Sequence, residues 1–322
     1  MDGLLIIDKP AGPTSHDVVA RMRRALGERR IGHTGTLDPA ATGVLGLVLG
    51  RATRLAQFLT TSDKSYEAVV RFGFATDTGD AQGRATGPTQ TVPMPSHAEI
   101  DAALEAFRGT FLQRPPEFSA KKIGGMRSHK LARARVRHAR LRSSRDDAHP
   151  PALPGVHDLA VPAPVSVTAH SIAIVGTAAD TVTLRVECSA GFYVRSLAHD
   201  LGERLGVGAH LASLRRTRSG EFGLDRAIDL DTAERHPGRA KAAVIPMPDM
   251  LPALPAFTLS TEGVRRAKNG CLLGQRDSVT GKSRTPNPES LVRLLDAAGS
   301  LVGIGRASAS SPGLLHPSVV LI

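Results

Sequence analysis

The chain has 322 residues, of which 41% are hydrophobic and 22% are charged. This composition is typical of a soluble globular protein of about two domains, and it excludes wholesale disorder and collagen-like repeats. Two cysteines, Cys188 and Cys271, are too few for a disulfide framework or a four-cysteine zinc site. Asp8 interrupts the first apolar run, and no later run approaches the roughly 20 residues of a membrane span. We therefore expect a cytoplasmic protein without a signal peptide or a membrane partner.

The first half of the chain predicts strands and helices separated by turn-rich sequence. Residues 3–8 form an apolar run that predicts a buried strand. Thr14 or Ser15 can cap a helix that runs to Leu26 and stops at Gly27. The other elements predicted here are a turn-rich segment at 28–42, an apolar run at 43–50, a helix at 52–59, a strand at 66–74, a polar loop at 77–87 and a helix at 98–107.

The second half of the chain predicts a different mixture of elements. They are a basic helix at 127–141, a low-complexity insertion at 143–164, a hairpin of 165–175 with 181–188, and an amphipathic helix at 193–205. Four prolines between positions 246 and 255 indicate a domain boundary, and residues 251–322 alternate short strand and turn signals. Because helices and strands mix without regular βαβ alternation, the sequence predicts an α+β fold.

The positive charge is concentrated in one segment. Residues 108–145 contain twelve Lys and Arg and one acid, Glu117, so their excess equals the net charge of +11 of the whole chain. A local basic block is typical of a surface that binds a polyanion such as RNA. A solvated basic helix is the alternative. An anionic membrane fits less well, because the block has few large apolar residues to insert.

One glycine-rich segment has the features of an active-site loop. Residues 32–43, Gly-His-Thr-Gly-Thr-Leu-Asp-Pro-Ala-Ala-Thr-Gly, place three glycines and a proline around His33 and Asp38. Such a sequence turns tightly and can lie close to a ligand. Because the apolar residues 44–49 follow at once, the pattern indicates a carboxylate on a rigid loop over a core, where it could act as a nucleophile. A purely structural Asp-Pro turn is the alternative.

Two tyrosines give a second indication. Tyr66 follows Lys64 at the start of a predicted strand, and Tyr193 lies two residues before Arg195, where a strand gives way to a helix. An enzyme that acts on RNA needs flat side chains to stack on an extruded base. A core tyrosine is the alternative for each. Arg195 could pair with a buried carboxylate, or it could be a surface arginine in an unfavourable position against the helix dipole.

Three other signals are too weak to indicate a function. Gly281-Lys282-Ser283 resembles the end of a P-loop, but Arg276 occupies the position of the leading glycine. The triplet Asp77-Thr78-Gly79 resembles that of aspartic proteases but has no second copy, so we expect an ordinary loop. The twelve histidines show no metal-ligand spacing, so no metal site is expected.

Several of these motifs together resemble those of the TruB family of tRNA pseudouridine-55 synthases. Lys9-Pro10 resembles the first motif of the family, and residues 32–43 resemble its catalytic-aspartate motif. The further matches, in the family's order, are Lys64-x-Tyr66, residues 116–122, Gly191-x-Tyr193-x-Arg195, residues 208–211 and residues 214–216. The resemblance covers residues 3–142 and 165–250, and residues 251–322 resemble the family's PUA-like RNA-binding domain more distantly.

The resemblance implies a fold and a reaction. The fold would be α+β, with a mixed, largely antiparallel sheet core and flanking helices. A catalytic domain would span 1–250, with an RNA-gripping thumb segment at about 113–142, and a small β-rich PUA-like domain would span 251–322. The enzyme would isomerise uridine-55 in the T loop of tRNA to pseudouridine on a flipped-out nucleotide, without metal, cofactor or guide RNA.

The resemblance also implies roles for individual residues. Asp38 would assist cleavage of the glycosidic bond, Tyr66 would stack on the uracil, and Arg195 would pair with Asp38. His33 would fill the gap that the flipped base leaves in the RNA loop. The remaining residues expected to bind substrate are Tyr193, which would line the pocket, Leu214, which would close its apolar wall, and Lys9, Lys121 and Lys122.

Two features depart from the family, and two other functions stay open. His129 stands where relatives have a tyrosine in the thumb, and we expect the insertion at 143–164 to be a surface loop. The alternatives are a non-catalytic protein that binds or folds tRNA, and a guide-RNA-dependent synthase resembling dyskerin. The joint presence of Asp38, Tyr66 and Arg195 favours catalysis. The basic thumb-like segment favours a stand-alone enzyme, which we expect to be a monomer.

Overall fold

The computed structural model describes residues 1–87, 93–116, 122–123, 126–127, 163–279 and 290–322. The chain forms two compact units: Met1–Ser62 together with Arg218–Ile322, and Asp63–Thr217. Across these described ranges, no helix is long and apolar enough to cross a membrane.

The first unit begins with two long buried strands that flank a helix. Its elements are β1 (Gly3–Lys9), α1 (Ser15–Leu26), β2 (Ile31–His33), β3 (Thr42–Leu49), a 3₁₀ turn at Gly50–Leu55 and α2 (Ala56–Thr60). β1 pairs antiparallel with β3 along its whole length, from Gly3 opposite Leu49 to Lys9 opposite Gly43, and β2 also pairs with β3. Almost every residue of β1 and β3 is buried, which explains why residues 3–7 and 43–49 are continuous apolar runs rather than alternating ones.

The predicted helix at 15–26 is confirmed, with Thr14 rather than Ser15 as its cap. The Thr14 hydroxyl accepts a hydrogen bond from the Asp17 backbone N–H at 3.1 Å, and the Asp17 carboxylate accepts one from the Thr14 N–H at 2.9 Å. This reciprocal capping box satisfies backbone groups that would otherwise lack partners at a helix start. The helix ends at Gly27, whose φ of +65° is in the left-handed region that glycine adopts readily.

The second unit is a sheet covered by two helices. Its elements are β4 (Lys64–Phe72), α3 (His97–Leu104), β5 (Gly109–Gln113), β6 (Lys122–Ile123), β7 (Met126–Arg127), β8 (Val165–Ala178), β9 (Thr181–Cys188), α4 (Val194–Arg204) and most of β10 (Ala209–Ser219). The strand order is β10–β4–β9–β8–β5, and the pairs β4–β9, β9–β8 and β8–β5 are antiparallel. Alternate residues of the strands pack with α3 and α4 into one apolar core, as period-two patterning requires.

The rest of the first unit contains a second, smaller sheet. The elements are β11 (Phe222–Gly223), β12 (Ile228–Asp229), α5 (Leu230–Arg235), α6 (Pro237–Ala242), β13 (Ile245–Pro246), β14 (Ala256–Thr258), α7 (Thr261–Lys268), β15 (Leu291–Leu295), β16 (Leu301–Ala307) and β17 (Leu315–Val320). Strands β14 to β17 form the smaller sheet in sequence order. One apolar cluster lies between residues of this sheet and α7. A second cluster joins other residues of the sheet to Leu4 and Ile6 of β1. The described residues of 251–322 are thus β-rich as predicted, and the domain boundary near residue 250 stays a prediction.

The predicted α+β class is confirmed, and several predicted boundaries are not. Most strand pairs are antiparallel, with parallel pairs at β1–β12 and β14–β15. The predicted helix at 127–141 does not begin at Arg127, because that residue pairs as a strand with Lys122, and residues 128–141 lie outside the described residues. Strand β2, inside the segment predicted as turns, exists because it pairs with β3, which is a tertiary contact.

Other local predictions were approximate. The predicted helix at 52–59 is a 3₁₀ turn followed by the short α2, and the predicted strand at 66–74 is β4, which begins and ends two residues earlier. Helix α7 was not predicted. Lys121, His129 and most of the insertion at 143–164 lie outside the described residues.

The first prediction concerns Gly202, which lies inside α4 against the start of β10. A Cβ at this position would come within 2.2 Å of the Ala209 backbone nitrogen, so the strand would have to move. Although alanine favours a helix by about 1 kcal/mol over glycine, we expect Gly202→Ala to lower the free energy of unfolding by about 1–3 kcal/mol, the usual cost of overpacking. Gly238→Ala in α6 is the matched control, because nothing lies within 4 Å of its Cβ. Equal denaturation midpoints for the two variants would contradict this account.

The second prediction concerns Lys64, which is 6% exposed. Burial, together with the nearby positive charge of Arg216, lowers the pKa of Lys64 to about 8. Above that pH the folded chain has released a proton that the unfolded chain still binds, so stability contributed by this group rises with pH. We expect the parent to gain on the order of 1 kcal/mol relative to Lys64→Met between pH 7 and pH 9. A constant difference in unfolding free energy over this interval would contradict the assignment.

Candidate active site

Asp38 lies on the loop between β2 and β3 of the first unit. The loop is tight, because the Asp38 carbonyl accepts a hydrogen bond from the Ala41 N–H at 3.1 Å. The preceding residue, Leu37, is buried, and both of its backbone groups bond to one side chain: the Ser15 hydroxyl accepts from the Leu37 N–H at 2.9 Å and donates to the Leu37 carbonyl at 3.1 Å. The loop therefore presents a half-buried carboxylate from a fixed backbone.

The residue after Asp38 is held as firmly. The Pro39 carbonyl accepts hydrogen bonds from the Gly12 N–H at 2.8 Å and from the Lys9 ammonium at 3.1 Å. Lys9 is fully buried and also donates to the Pro10 carbonyl at 2.8 Å. Carbonyl acceptors of this kind are what a buried ammonium needs. The hydrogen bonds described for Lys9 thus go to backbone carbonyls of the loop and of its own segment. Its role in substrate binding stays a prediction.

His33 is the last residue of β2, just before the loop. Its ring contacts the ring of His16 edge-on, with the centroids 5.2 Å apart and the planes at 74°. His33 is half-buried and His16 is exposed. The loop that presents Asp38 therefore has a pair of imidazole rings beside its start.

Tyr66 and Leu214 belong to one apolar cluster in the second unit. Tyr66 lies on β4 opposite Val186 of β9 and is 9% exposed. It belongs to the same apolar cluster as Phe192, and Leu214 of β10 packs against that cluster. The structure therefore brings together two residues that the sequence predicted to form the base-binding pocket.

Tyr193 is fixed by its backbone at the start of α4. Its N–H donates to the Gln113 side-chain oxygen at 2.8 Å, and its carbonyl accepts from the Gln113 side-chain nitrogen at 3.0 Å. Gln113 is 1% exposed and ends β5. Nothing in the sequence pattern singled out this glutamine, because its partner lies 80 residues away.

Arg195 is a buried residue, so the alternative of a surface arginine is wrong. It is 5% exposed, and its guanidinium donates to the Thr78 carbonyl at 2.9 Å and lies 3.9 Å from the Asp80 carboxylate. The Asp80 carboxylate also accepts from the Thr78 hydroxyl at 2.7 Å and the Gln82 N–H at 3.1 Å. The loop at 77–87, which the sequence predicted to be an ordinary loop, thus holds the guanidinium through the Thr78 carbonyl, and nothing in the sequence singled out Asp80 as its neighbour.

Buried cations shape the electrostatics of the second unit. Lys64 and Arg216 lie on the neighbouring strands β4 and β10, and both are nearly inaccessible to solvent. Cys188, directly opposite Lys64, stays a neutral thiol because burial raises its pKa to about 12. The positive potential of the two cations favours negative charge in their neighbourhood.

The predicted site residues divide between the two units. Asp38, His33 and Lys9 lie in the first unit. Those in the second unit are Tyr66, Tyr193, Arg195 and Leu214. The pairing of Arg195 with Asp38 stays a prediction. Lys122 forms part of β6, and Lys121 lies outside the described residues. Among the residues that the structure describes, no three His, Cys, Asp or Glu side chains are grouped as a metal site would require.

Comparison with known proteins identifies the family. Residues 23–145 match the model of the TruB family pseudouridylate synthase N-terminal domain, and residues 195–243 match the tRNA pseudouridylate synthase B C-terminal domain. A protein of Solibacter usitatus named tRNA pseudouridine synthase B is 41% identical over 324 residues, which cover 100% of both chains. A protein of the same name from Geobacillus kaustophilus is 38% identical over 294 residues, covering 88% of this chain and 95% of the relative.

Solved structures show the same fold. A chain in the structure of an H/ACA RNP bound to a substrate RNA containing 2'-deoxyuridine is 24% identical, with a TM-score of 0.71 over 99% of this chain and 85% of that chain. A chain of an archaeal box H/ACA sRNP complex is 26% identical, with a TM-score of 0.68 over 99% of this chain and 86% of that chain. With relatives above 30% identity that cover most or all of both chains, the chain belongs to the TruB family of pseudouridylate synthases.

Proposed function

We propose that this chain isomerises uridine-55 in the T loop of tRNA to pseudouridine. The observation that carries the proposal is the 41% identity, over the whole of both chains, to a relative named tRNA pseudouridine synthase B. The locked loop of Asp38 and the buried, oriented guanidinium of Arg195 support a catalytic role over a merely RNA-binding one. A protein that only bound tRNA would not need a carboxylate presented from a backbone fixed on both sides.

The reaction is an isomerisation in which atoms balance without a co-reactant. The Asp38 carboxylate attacks the ribose or the pyrimidine ring and so assists cleavage of the N1–C1′ bond. The released uracil turns in its pocket, its C5 bonds to C1′, and Asp38 is freed. The proton on C5 leaves, and N1 of the product carries a proton. Arg195, whose guanidinium also donates to the Thr78 carbonyl, pairs with Asp38 and stabilises its anionic form.

The apolar wall holds the base while it is detached. Tyr66 stacks on the uracil, Tyr193 lines the pocket and Leu214 closes it. A detached base must neither diffuse away nor meet water, which a dry pocket prevents. The Tyr66 hydroxyl lies at the reacting ring and takes part in removal of the C5 proton.

RNA binding depends on charge and on one inserted ring. His33 fills the gap in the RNA loop after the nucleotide flips, which costs a few kcal/mol in general and less from a loop. Phosphate contacts from the basic residues at 108–145, including Lys121 and Lys122, offset that cost, and Lys9 contributes at the site itself. Residues 1–250 form the catalytic domain, with its thumb at about 113–142, and 251–322 form a PUA-like RNA-binding domain.

A stand-alone enzyme is favoured over a guide-dependent one. The full-length relatives named tRNA pseudouridine synthase B are 34–41% identical, whereas the H/ACA chains are 24–26% identical. The basic residues at 108–145 also contact the tRNA directly, so that no guide RNA is needed to bring the substrate to the enzyme. The enzyme acts in the cytoplasm, as a monomer on tRNA alone.

The third prediction tests the reaction and its nucleophile together. Asp38→Asn nearly preserves shape but cannot attack as an anion, so we expect no pseudouridine in unmodified tRNA while tRNA affinity is kept. The measurement is pseudouridine mapping of the T loop after incubation with purified protein and no guide RNA. Asp225→Asn, an exposed carboxylate of the same unit, is the control and should turn over like the parent. Turnover by Asp38→Asn would exclude it as the nucleophile, and an inactive parent would leave only tRNA binding.

The fourth prediction separates stacking from proton transfer at Tyr66. Stacking is worth about 1–3 kcal/mol per base and survives in Tyr66→Phe. Help with proton removal is worth about 10²–10⁴-fold in rate and is lost. We expect Tyr66→Phe to bind tRNA normally and to turn over about 100-fold more slowly or worse, whereas Tyr66→Leu should lose binding as well. Near-native single-turnover rates for Tyr66→Phe would remove the hydroxyl from the mechanism and leave stacking or packing.

A further inference from the structure

Ser15 is a buried side chain whose hydrogen bonds leave its own helix. It is the first residue of α1 and is 1% exposed. Its hydroxyl accepts from the Leu37 N–H at 2.9 Å and donates to the Leu37 carbonyl at 3.1 Å. A serine hydroxyl can do both at once, since it has one hydrogen and two lone pairs. One side chain thus satisfies both polar groups of a buried backbone residue, as a neighbouring strand would do.

Capping does not explain this arrangement. The N-terminus of α1 is already capped by Thr14, whose hydroxyl and backbone exchange hydrogen bonds with Asp17. Ser15 instead reaches a residue 22 positions away in the sequence. Its contact therefore serves the loop and not the helix.

The contact acts on the peptide group that joins Leu37 to Asp38. The Leu37 carbonyl belongs to that group, and a peptide group is planar, so the bond from Ser15 fixes the orientation of the Asp38 N–H and the position of its Cα. On the other side, Pro39 restricts the backbone of Asp38 to extended conformations. The Pro39 carbonyl is itself held by Gly12 and Lys9. With both neighbours held, the backbone of Asp38 is fixed on both sides.

We propose that Ser15 is a positioning residue for the reaction, which aims the Asp38 carboxylate by clamping the Leu37 peptide groups. The inference rests on the proposed function, because it assumes that Asp38 attacks the nucleotide. A reacting group displaced by about 1 Å can lose about 100-fold in rate. Loss of the clamp should therefore slow the chemical step and leave RNA binding intact, since Ser15 itself is inaccessible to RNA.

The fifth prediction is that Ser15→Ala lowers the maximal single-turnover rate by about 10- to 100-fold, with an unchanged half-saturating enzyme concentration. Thr14→Ala is the matched control: it removes the adjacent hydroxyl and its capping bonds but no contact with Leu37. We expect Thr14→Ala to lower the melting temperature and to keep the rate of the parent. Both variants are assayed on unmodified tRNA well below the lower of their melting temperatures.

Amide hydrogen exchange gives a readout that does not depend on activity. Ser15→Ala should greatly speed exchange at the Leu37 amide and leave that of Leu47 in β3 unchanged. A parent-like turnover rate in Ser15→Ala, or an equal loss of rate in Thr14→Ala, would overturn the proposal. If the parent forms no pseudouridine, the proposed function fails and the positioning role fails with it. Faster exchange of the Leu37 amide in Ser15→Ala than in the parent would then show that the clamp exists without serving this reaction.

Discussion

The proposed role of Asp38 depends on one constraint in the first unit, which is that the backbone around this residue is held in place. A short acidic side chain reaches a reacting atom only if its backbone is in the right place, and a loop without strand partners cannot provide that alone. Here buried polar groups from the N-terminal segment take the place of a strand, with Ser15 on the residue before Asp38 and Lys9 on the residue after it. The full-length pairing of β1 with β3 and the apolar face of α1 keep that segment in register with the loop.

In the second unit, other polar groups hold the residues at the start of α4 in place. Tyr193 and Arg195 lie at the start of α4, where the helix has backbone groups without intrahelical partners. Gln113 meets the backbone of Tyr193, and the loop of Thr78 and Asp80 meets the guanidinium of Arg195. The backbone of Tyr193 and the guanidinium of Arg195 are thus each held by a buried polar contact that is distant in sequence. Such contacts are costly to break, because an orphaned buried polar group loses its water without gaining a partner.

Charge is used in two separate ways along the chain. The excess of positive charge at 108–145 is suited to phosphates, which attract cations at long range and in proportion to their number. The cations Lys9, Lys64, Arg195 and Arg216 are instead buried, where each must be matched by carbonyls or carboxylates. Composition alone cannot distinguish these uses, because a buried and an exposed arginine are the same letter in the sequence.

The sequence by itself determined the features that depend on local chemistry. The capping residues and the stop at Gly27 predicted α1, the segments 165–175 and 181–188 predicted the hairpin of β8 with β9, and the glycine and proline content of 32–43 predicted a tight turn bearing Asp38. The motifs also predicted the family. Only the tertiary structure decided that Ser15 bonds to Leu37, that Gln113 bonds to the backbone of Tyr193 and that Asp80 lies near Arg195. It also decided that Lys9 is buried and that Ile31–His33 is a strand. Each of these depends on a partner far away in the chain, and a hydroxyl, amide or carboxylate gives no sign in the sequence of the distant group that it will meet.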